Sequence, residues 1–368
     1  MNQFLKQKRR AAKMSFTPLV AVVFAFFVVA RNSASGATEY WDTTGTSGLL
    51  PGNGNWSTSG GSNKNWSTNI SGTSLQLWTD GNDAIFQENG TSVVTISGPV
   101  SVNSLTFNGT GYSIGGTALT LSGSSITTNA PASISAILGG SVGLTKMGAE
   151  TLTLNGSGDN TFTGATTVSQ GTLSAGGGAL RATSNVSVNS GGTLLFAGTG
   201  DRVNDSAGIN LAGGTLSISG LSGASETLGS LTLSGNSTIN FGAGSQDVLN
   251  FAGFASHTPG TTTLAILGWS GSANTVGTSA TDRLIFGGSA ASFNSAFAQA
   301  DVTFAGFGSG FKAIDLVGGS TFEIVAVPEP ATVFFTLALV GLIGLRERRL
   351  VSELLRPRMR ARVVAGRR

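Results

Sequence analysis

His257, set in Ala-Ser-His-Thr-Pro, is the sole histidine of the 368-residue chain. It is therefore the one side chain whose ordinary pKa lies near neutrality. A two-histidine metal site within the chain is excluded, and the small residues around His257 build no triad, so it reads as a surface loop residue. Cysteine is absent, which removes thiol catalysis, zinc-thiolate sites and disulfides together. Asp80, Asn82 and Asp83 could supply oxygens to calcium, but their spacing lacks the alternating ligands and terminal glutamate of an EF-hand loop. A turn ahead of a strand at 84–87 accounts for them equally well. A polysaccharide lyase would want a basic residue beside clustered acids, yet the six basic residues of the body (Lys64, Lys146, Arg181, Arg202, Arg283, Lys312) are scattered. The near pairs Asp201-Arg202 and Asp282-Arg283 read as solvated corners. Among 55 glycines there is no GxxxxGK[ST] loop and no GxGxxG that leads a strand into a helix. These residues assemble no catalytic, metal or cofactor site.

Four of the five tryptophans, Trp41, Trp56, Trp66 and Trp78, fall within 38–80, and Asn55-Trp56-Ser57-Thr58 recurs as Asn65-Trp66-Ser67-Thr68. Flat rings stack well on sugars, so Trp56 and Trp66 are candidate glycan contacts. The favoured reading is that the rings plug the open end of a repetitive β structure, whose first coil would otherwise expose a bare edge and an apolar column. Charge is segregated along the chain. Residues 1–37 carry six basic residues and no acids, and 328–368 carry nine arginines against Glu329, Glu347 and Glu353. That leaves six basic and fifteen acidic residues in 38–327, a net of −9. An acidic body is a poor partner for nucleic acid.

The elements that would hold these residues show a period. Thr151-Leu152-Thr153-Leu154 and Thr172-Leu173-Ser174-Ala175 are short alternations 21 residues apart, and Leu194, Leu216 and Ile239 continue the series at steps of 21, 22 and 23. Val168, Val188, Leu211 and Leu233 form a second series five or six residues ahead. Two strands per period, joined by Gly/Ser/Asn corners, predict an all-β solenoid whose coils stack about 4.8 Å apart. A single coil buries too little to offset its own ordering entropy, so stability must come from stacking. Further strands are expected at 93–96, 104–107 and 118–121. Beyond 246 the period loosens, with strands at 248–251, 263–267, 283–286, 302–304, 313–316 and 322–325 and a short helical piece at 291–299.

The order LTK-G-TLTL-G-NTFTG-TTV-GTL across 144–175 resembles the autotransporter-associated β-strand repeat of large bacterial surface proteins. The resemblance implies a right-handed parallel β-helix in an exported protein, and it implies no activity. An autotransporter passenger reading would also require a C-terminal membrane barrel of alternating strands, about ten residues each.

The termini read as addresses. A basic stretch through Lys13, an apolar stretch at 19–30 and small residues at 33–37 make a signal peptide, with cleavage after Ala37 and Gly36 the next choice. Twelve apolar residues are too few for a comfortable signal anchor. At the other end Val327-Pro328-Glu329-Pro330 is followed by fifteen mostly apolar residues, 331–345, and then by Arg346, Arg348 and Arg349. The prolines break any incoming element, and the apolar run can form one transmembrane helix of roughly 22 Å with snorkelling arginines on the cytoplasmic side.

This three-part tail resembles the PEP-CTERM sorting signal of Gram-negative bacteria. The resemblance implies recognition at Pro328, Glu329 and Pro330 by a membrane-embedded exosortase and transient anchoring in the inner membrane. Cleavage and transfer to the surface or an exopolysaccharide matrix would follow. The segments 264–269, 282–286 and 322–325 resemble the stretch that often precedes such a tail. Family tails usually stop soon after the arginines, whereas here 19 residues with six more arginines follow Arg349. The expected organisation is a signal peptide at 1–37, a Trp-rich cap with the first coils at 38–143, and the repeat core at 144–245. Final coils or a cap at 246–326, the sorting signal at 327–349 and a basic cytoplasmic tail at 350–368 complete it. The expected product is a non-catalytic structural protein of the cell surface or matrix. A glycan-binding or polysaccharide-modifying protein is the alternative.

Overall fold

The computed structural model describes residues 36–244 and 246–328, which belong to one compact unit. Two 12-stranded sheets run through it, built from strands that return once per coil, and a 5-stranded sheet joins them toward the C-terminal end. Neighbours within the coils are parallel, so the chain is an all-β parallel solenoid. The period seen in the sequence becomes a ladder. Leu152, Leu173, Leu194, Leu216, Ile239, Ile266 and Phe304 pair in one continuous register along the second sheet. All are buried, and they form the shared apolar column that no isolated coil could provide. On the opposite face of the same strands Thr151, Thr172, Thr193, Thr215 and Thr238 stand in register as an outward file of hydroxyls.

The corners explain part of the glycine content. At Gly171, φ is +63°, and a Cβ there would lie 2.5 Å from the carbonyl oxygen of Gly148 in the coil below. Only glycine allows both the turn and the close stacking. Side-chain amides repeat the ladder outside the backbone. Asn108 Nδ2 donates to Gln87 Oε1 at 2.7 Å, and Asn129 Nδ2 donates to Asn108 Oδ1 at 2.9 Å. Asp80, Asn82 and Asp83 have the same employment. Asp80 accepts from the Ser101 N–H at 2.7 Å, Asn82 Oδ1 from Ala37 at 3.0 Å, and Asp83 from Asn103 and Ser104 at 2.8 and 2.6 Å.

Two strands per period describe the middle of the molecule but not its C-terminal part. From Ser225–Leu228 onward a third strand enters each coil, pairing with Val248–Phe251 and then Arg283–Gly287. The period loosens here because each coil lengthens to add a face. The predicted helical piece is Ala290–Ala296, capped by the Ser289 side chain, with one 3-10 turn at Gln299–Asp301.

The direction of pairing changes at the extremities. Trp66–Ser67 runs antiparallel to Thr38–Trp41, the first coil strand of the first sheet. Gly308–Ser309 runs antiparallel to Val302–Phe304, the last coil strand of the second. Phe311–Asp315 and Thr321–Ala326 close the third sheet in the same way. Among the described residues no helix is long and apolar enough to cross a membrane. Residues 1–35 of the expected signal peptide, 1–37, and the expected transmembrane run at 331–345 lie outside the described residues.

Candidate functional site

The tryptophans of the N-terminal end form one packed cluster. Trp66 lies 5.2 Å from Trp41, 4.9 Å from Trp56, 4.6 Å from Trp78 and 5.7 Å from Phe86, centroid to centroid. Trp41 and Trp78 donate their indole N–H groups to the carbonyls of Gly52 and Ser101. Trp56 and Trp66 are each 0% exposed. The glycan contacts considered at those two positions are therefore corrected: neither ring offers a face to a sugar, because both are spent covering the first apolar column. Glu39 lies fully buried beside this plug, accepting from Asn82 Nδ2 at 2.6 Å and from the Thr79 N–H at 3.3 Å. Burial raises its pKa against those bonds.

Inside the coils two charged residues occupy positions where their neighbours are apolar. Lys146 pairs with Ile126 on one side and Val168 on the other, in a column that continues through Val188, Leu211 and Leu233. Its Nζ donates to the carbonyls of Met147, Gly148 and Gln170 at 2.9, 2.8 and 3.1 Å. Burial lowers its pKa to about 8, with Glu150 pulling the other way. Glu226 stands in register with Leu249 and Leu284 and meets Arg202 at 3.0 Å, the two being 0% and 2% exposed. The Arg202 guanidinium also donates to the carbonyls of Ala197, Gly198 and Gly200. Glu226 accepts the N–H groups of Arg202 and Val203 at 2.9 and 2.8 Å, while burial raises its pKa.

Asp201-Arg202 and Asp282-Arg283 were expected as solvated corners, and the structure corrects this. Arg202 turns inward to a partner 24 residues away, and Asp282 is fully buried, accepting the Asp247 and Ser270 N–H groups at 3.0 and 2.9 Å. Arg283 pairs with the buried Glu323 at 2.9 Å. Asp201 does remain partly exposed, where it and Asp159 flank Arg181 across a shallow polar groove that crosses neighbouring coils.

At the C-terminal end His257 also departs from expectation. Its side chain is only 1% exposed, stacked on Phe297 at 3.9 Å and joined through Nε2 to Asp301 Oδ2 at 3.0 Å. Asp301 in turn accepts the N–H groups of Gly260 at 3.0 Å and Ala298 at 2.9 Å. Burial works to raise the Asp301 pKa, but these bonds outweigh it and hold the carboxyl below its ordinary value. Beside this joint a cavity of about 450 Å³ opens between Phe254–Ser256, the last strand of the first sheet, and the helix Ala290–Ala296.

Of the sorting and cleavage residues, Ala37 lies immediately before the first strand, and its carbonyl accepts the Asp83 N–H at 3.0 Å. Pro328 ends the described chain and is exposed. Glu329, Pro330, Arg346, Arg348 and Arg349 lie outside the described residues. No group of three or more potential metal-ligating His, Cys, Asp or Glu side chains occurs among the described residues.

Residues 144–175 match the passenger-associated-transport-repeat family. The chain is also 36% identical over 167 residues, 43% of its length, to the adhesin BmaC autotransporter of Brucella suis biovar 1 (strain 1330). It spans 5% of that protein's length. No solved structure matches significantly. The passenger-associated repeat occupies Leu144–Met147, Thr151–Leu154, Thr166–Val168 and Gly171–Ala175, one strand of each long sheet from two successive coils. Its lysine, Lys146, is thus an internal support of the repeat.

Three features escaped the sequence reading: the interior roles of Lys146 and Arg202, the His257–Asp301 joint, and the cavity beside it. Only one carried a signal. Lys146 sits two residues after Leu144 in an alternating strand, and so on the inward face.

Proposed function

We propose that this protein is a non-catalytic, exported structural protein displayed at the cell surface or in the extracellular matrix. The observation that carries the reading is the register-locked passenger-associated repeat within parallel coils, in a chain similar over 167 residues to an autotransporter adhesin. The exterior supports it, since files of Thr, Ser and Asn hydrogen-bond readily to water and to polar matrix polymers. A signal peptide cut after Ala37 releases a chain whose first strand begins at Thr38. Pro328, Glu329 and Pro330, followed by an apolar helix and Arg346, Arg348 and Arg349, direct the protein to an exosortase-type membrane enzyme. That enzyme frees it from a transient inner-membrane anchor into the surface layer and its exopolysaccharide.

The test is fractionation of the producing cells with mass spectrometry of the recovered protein. The expected surface form begins at Thr38 and lacks peptides from 331–349, and Glu329→Ala shifts the protein to the inner membrane. Surface protein that retains 331–349, or normal release of Glu329→Ala, overturns the sorting step. Protein held in the cytoplasm overturns the whole reading.

A further inference from the structure

The cavity beside the His257–Asp301 joint has the size of a small-molecule site, about 450 Å³, and its chemistry is of one kind. Half-buried Phe254 and Ala296, with exposed Ala255 and Pro259, give it an apolar wall, behind which Phe293 and Phe322 are buried. Ser256, Ser292 and Ser295, all exposed, set hydroxyls at its rim. No Asp, Glu, Lys or Arg side chain lines it, and the His257 ring is already committed to Asp301. Among the described residues the strand Phe254–Ser256 has no neighbour on its outer side. Its backbone groups there are open to a ligand's hydroxyls.

The cavity is also held open. His257 lies flat on Phe297, and Asp301 ties His257, Gly260 and Ala298 together, fixing the loop after the strand against the segment after the helix. A preformed wall lowers the ordering cost of binding. A ligand for this site must be uncharged, carry one apolar face for the wall around Phe254, and present hydroxyls around its edge. A pyranose ring has that construction: axial C–H groups on a face, equatorial hydroxyls on the rim.

We infer that the cavity between Phe254–Ser256 and the helix Ala290–Ala296 binds one neutral hexopyranose unit of a surface or matrix glycan. This goes beyond the display reading and does not depend on how the tail is processed, because it is measured on the purified chain. It moves glycan recognition from the buried tryptophans to the opposite end of the coils.

The experiment is saturation-transfer NMR and calorimetry on the full chain with glucose, galactose, mannose and N-acetylglucosamine. Galacturonate and a hydrophobic dye serve as comparators. Expected is saturable binding of at least one neutral sugar with Kd on the order of 1 mM. Ser292→Trp and Ser295→Trp fill the mouth from exposed helix positions and should weaken it by about tenfold or more. Ser157→Trp, in the Arg181 groove, should leave it unchanged. Circular dichroism identifies any variant that fails to fold, and either tryptophan variant that folds decides the matter. No saturable response to the neutral sugars, preference for galacturonate, binding of the dye alone, or equal loss in Ser157→Trp would each overturn the assignment.

Discussion

At the N-terminal end Trp41, Trp56, Trp66 and Trp78 close over the first coil so tightly that none is more than 3% exposed. At the C-terminal end Phe254, Phe293, Phe297 and Phe322 gather over the last coils around a strand and a helix, and a cavity of about 450 Å³ is left among their neighbours. Both clusters answer the same problem, an apolar column that must end in water. Indoles supply more area per residue and two of them reach backbone carbonyls, so the first end is sealed by the short strands Thr38–Trp41, Gly54–Trp56 and Trp66–Ser67 and the loops between them, without a helix. The second end recruits a helix, whose cylinder does not follow the flat edge of a sheet, and space is left between them.

The contrast predicts unequal mutational costs. Trp66→Ala removes a ring in contact with four other aromatic rings in a site that cannot collapse, and should cost about 5 kcal/mol, read as a lowered denaturant midpoint. Phe293→Ala borders a space that already exists, and should cost nearer 3 kcal/mol. Equal costs would mean that the C-terminal end is as tightly packed as the first.

Lys146 gives a reference from the middle. The unfolded chain keeps its lysine proton up to about 10.5 and the folded chain only to about 8. Between those values the unfolded state binds more protons, so stability rises with pH across that window. Lys146→Met should flatten the rise in denaturation curves taken from neutral to alkaline pH. A slope unchanged in the variant would assign it to other groups.

The smallest effect compares the ends directly, because their buried carboxyls are displaced in opposite directions. Glu39 is raised above 4.5, so its contribution is full below 4.5 and is lost as pH climbs through its folded value. Asp301 is lowered below 3.8, so its contribution is full above 3.8 and is lost as pH falls through its folded value. Acidification should therefore raise amide protection, with exchange corrected for its intrinsic pH dependence, around Thr38–Trp41 while lowering it around Gln299–Asp301. Glu39→Gln and Asp301→Asn should each abolish the change at their own end. Parallel changes at both ends would break the comparison.

How far the chain could be read in advance follows from the same physics. Leu152, Leu173, Leu194, Leu216 and Ile239 announce their column because side-chain direction and polarity alternate together there. At Ser225–Leu228 they part company: Glu226 points inward, so the strand that opens the third sheet hides its alternation. Arg202 and His257 are opaque for a related reason. Each is made burial-tolerant by a partner, Glu226 or Asp301, that lies 24 or 44 residues further on and one layer away. A composition of small polar residues also gives no notice of a cavity, which is a property of the fit between a helix and a sheet edge.

The reversed strands at the extremities bear on what many copies of this molecule would do when crowded together. A parallel coil is a template, and a second molecule with the same repeat could in principle continue it indefinitely, as fibrils do. Trp66–Ser67 and Gly308–Ser309 run against the grain of the sheets they terminate, so an incoming coil would meet the wrong hydrogen-bond pattern at each. Growth along those two sheet edges is blocked, whereas the outer edges of Gly54–Trp56 and Phe254–Ser256 keep the parallel pattern.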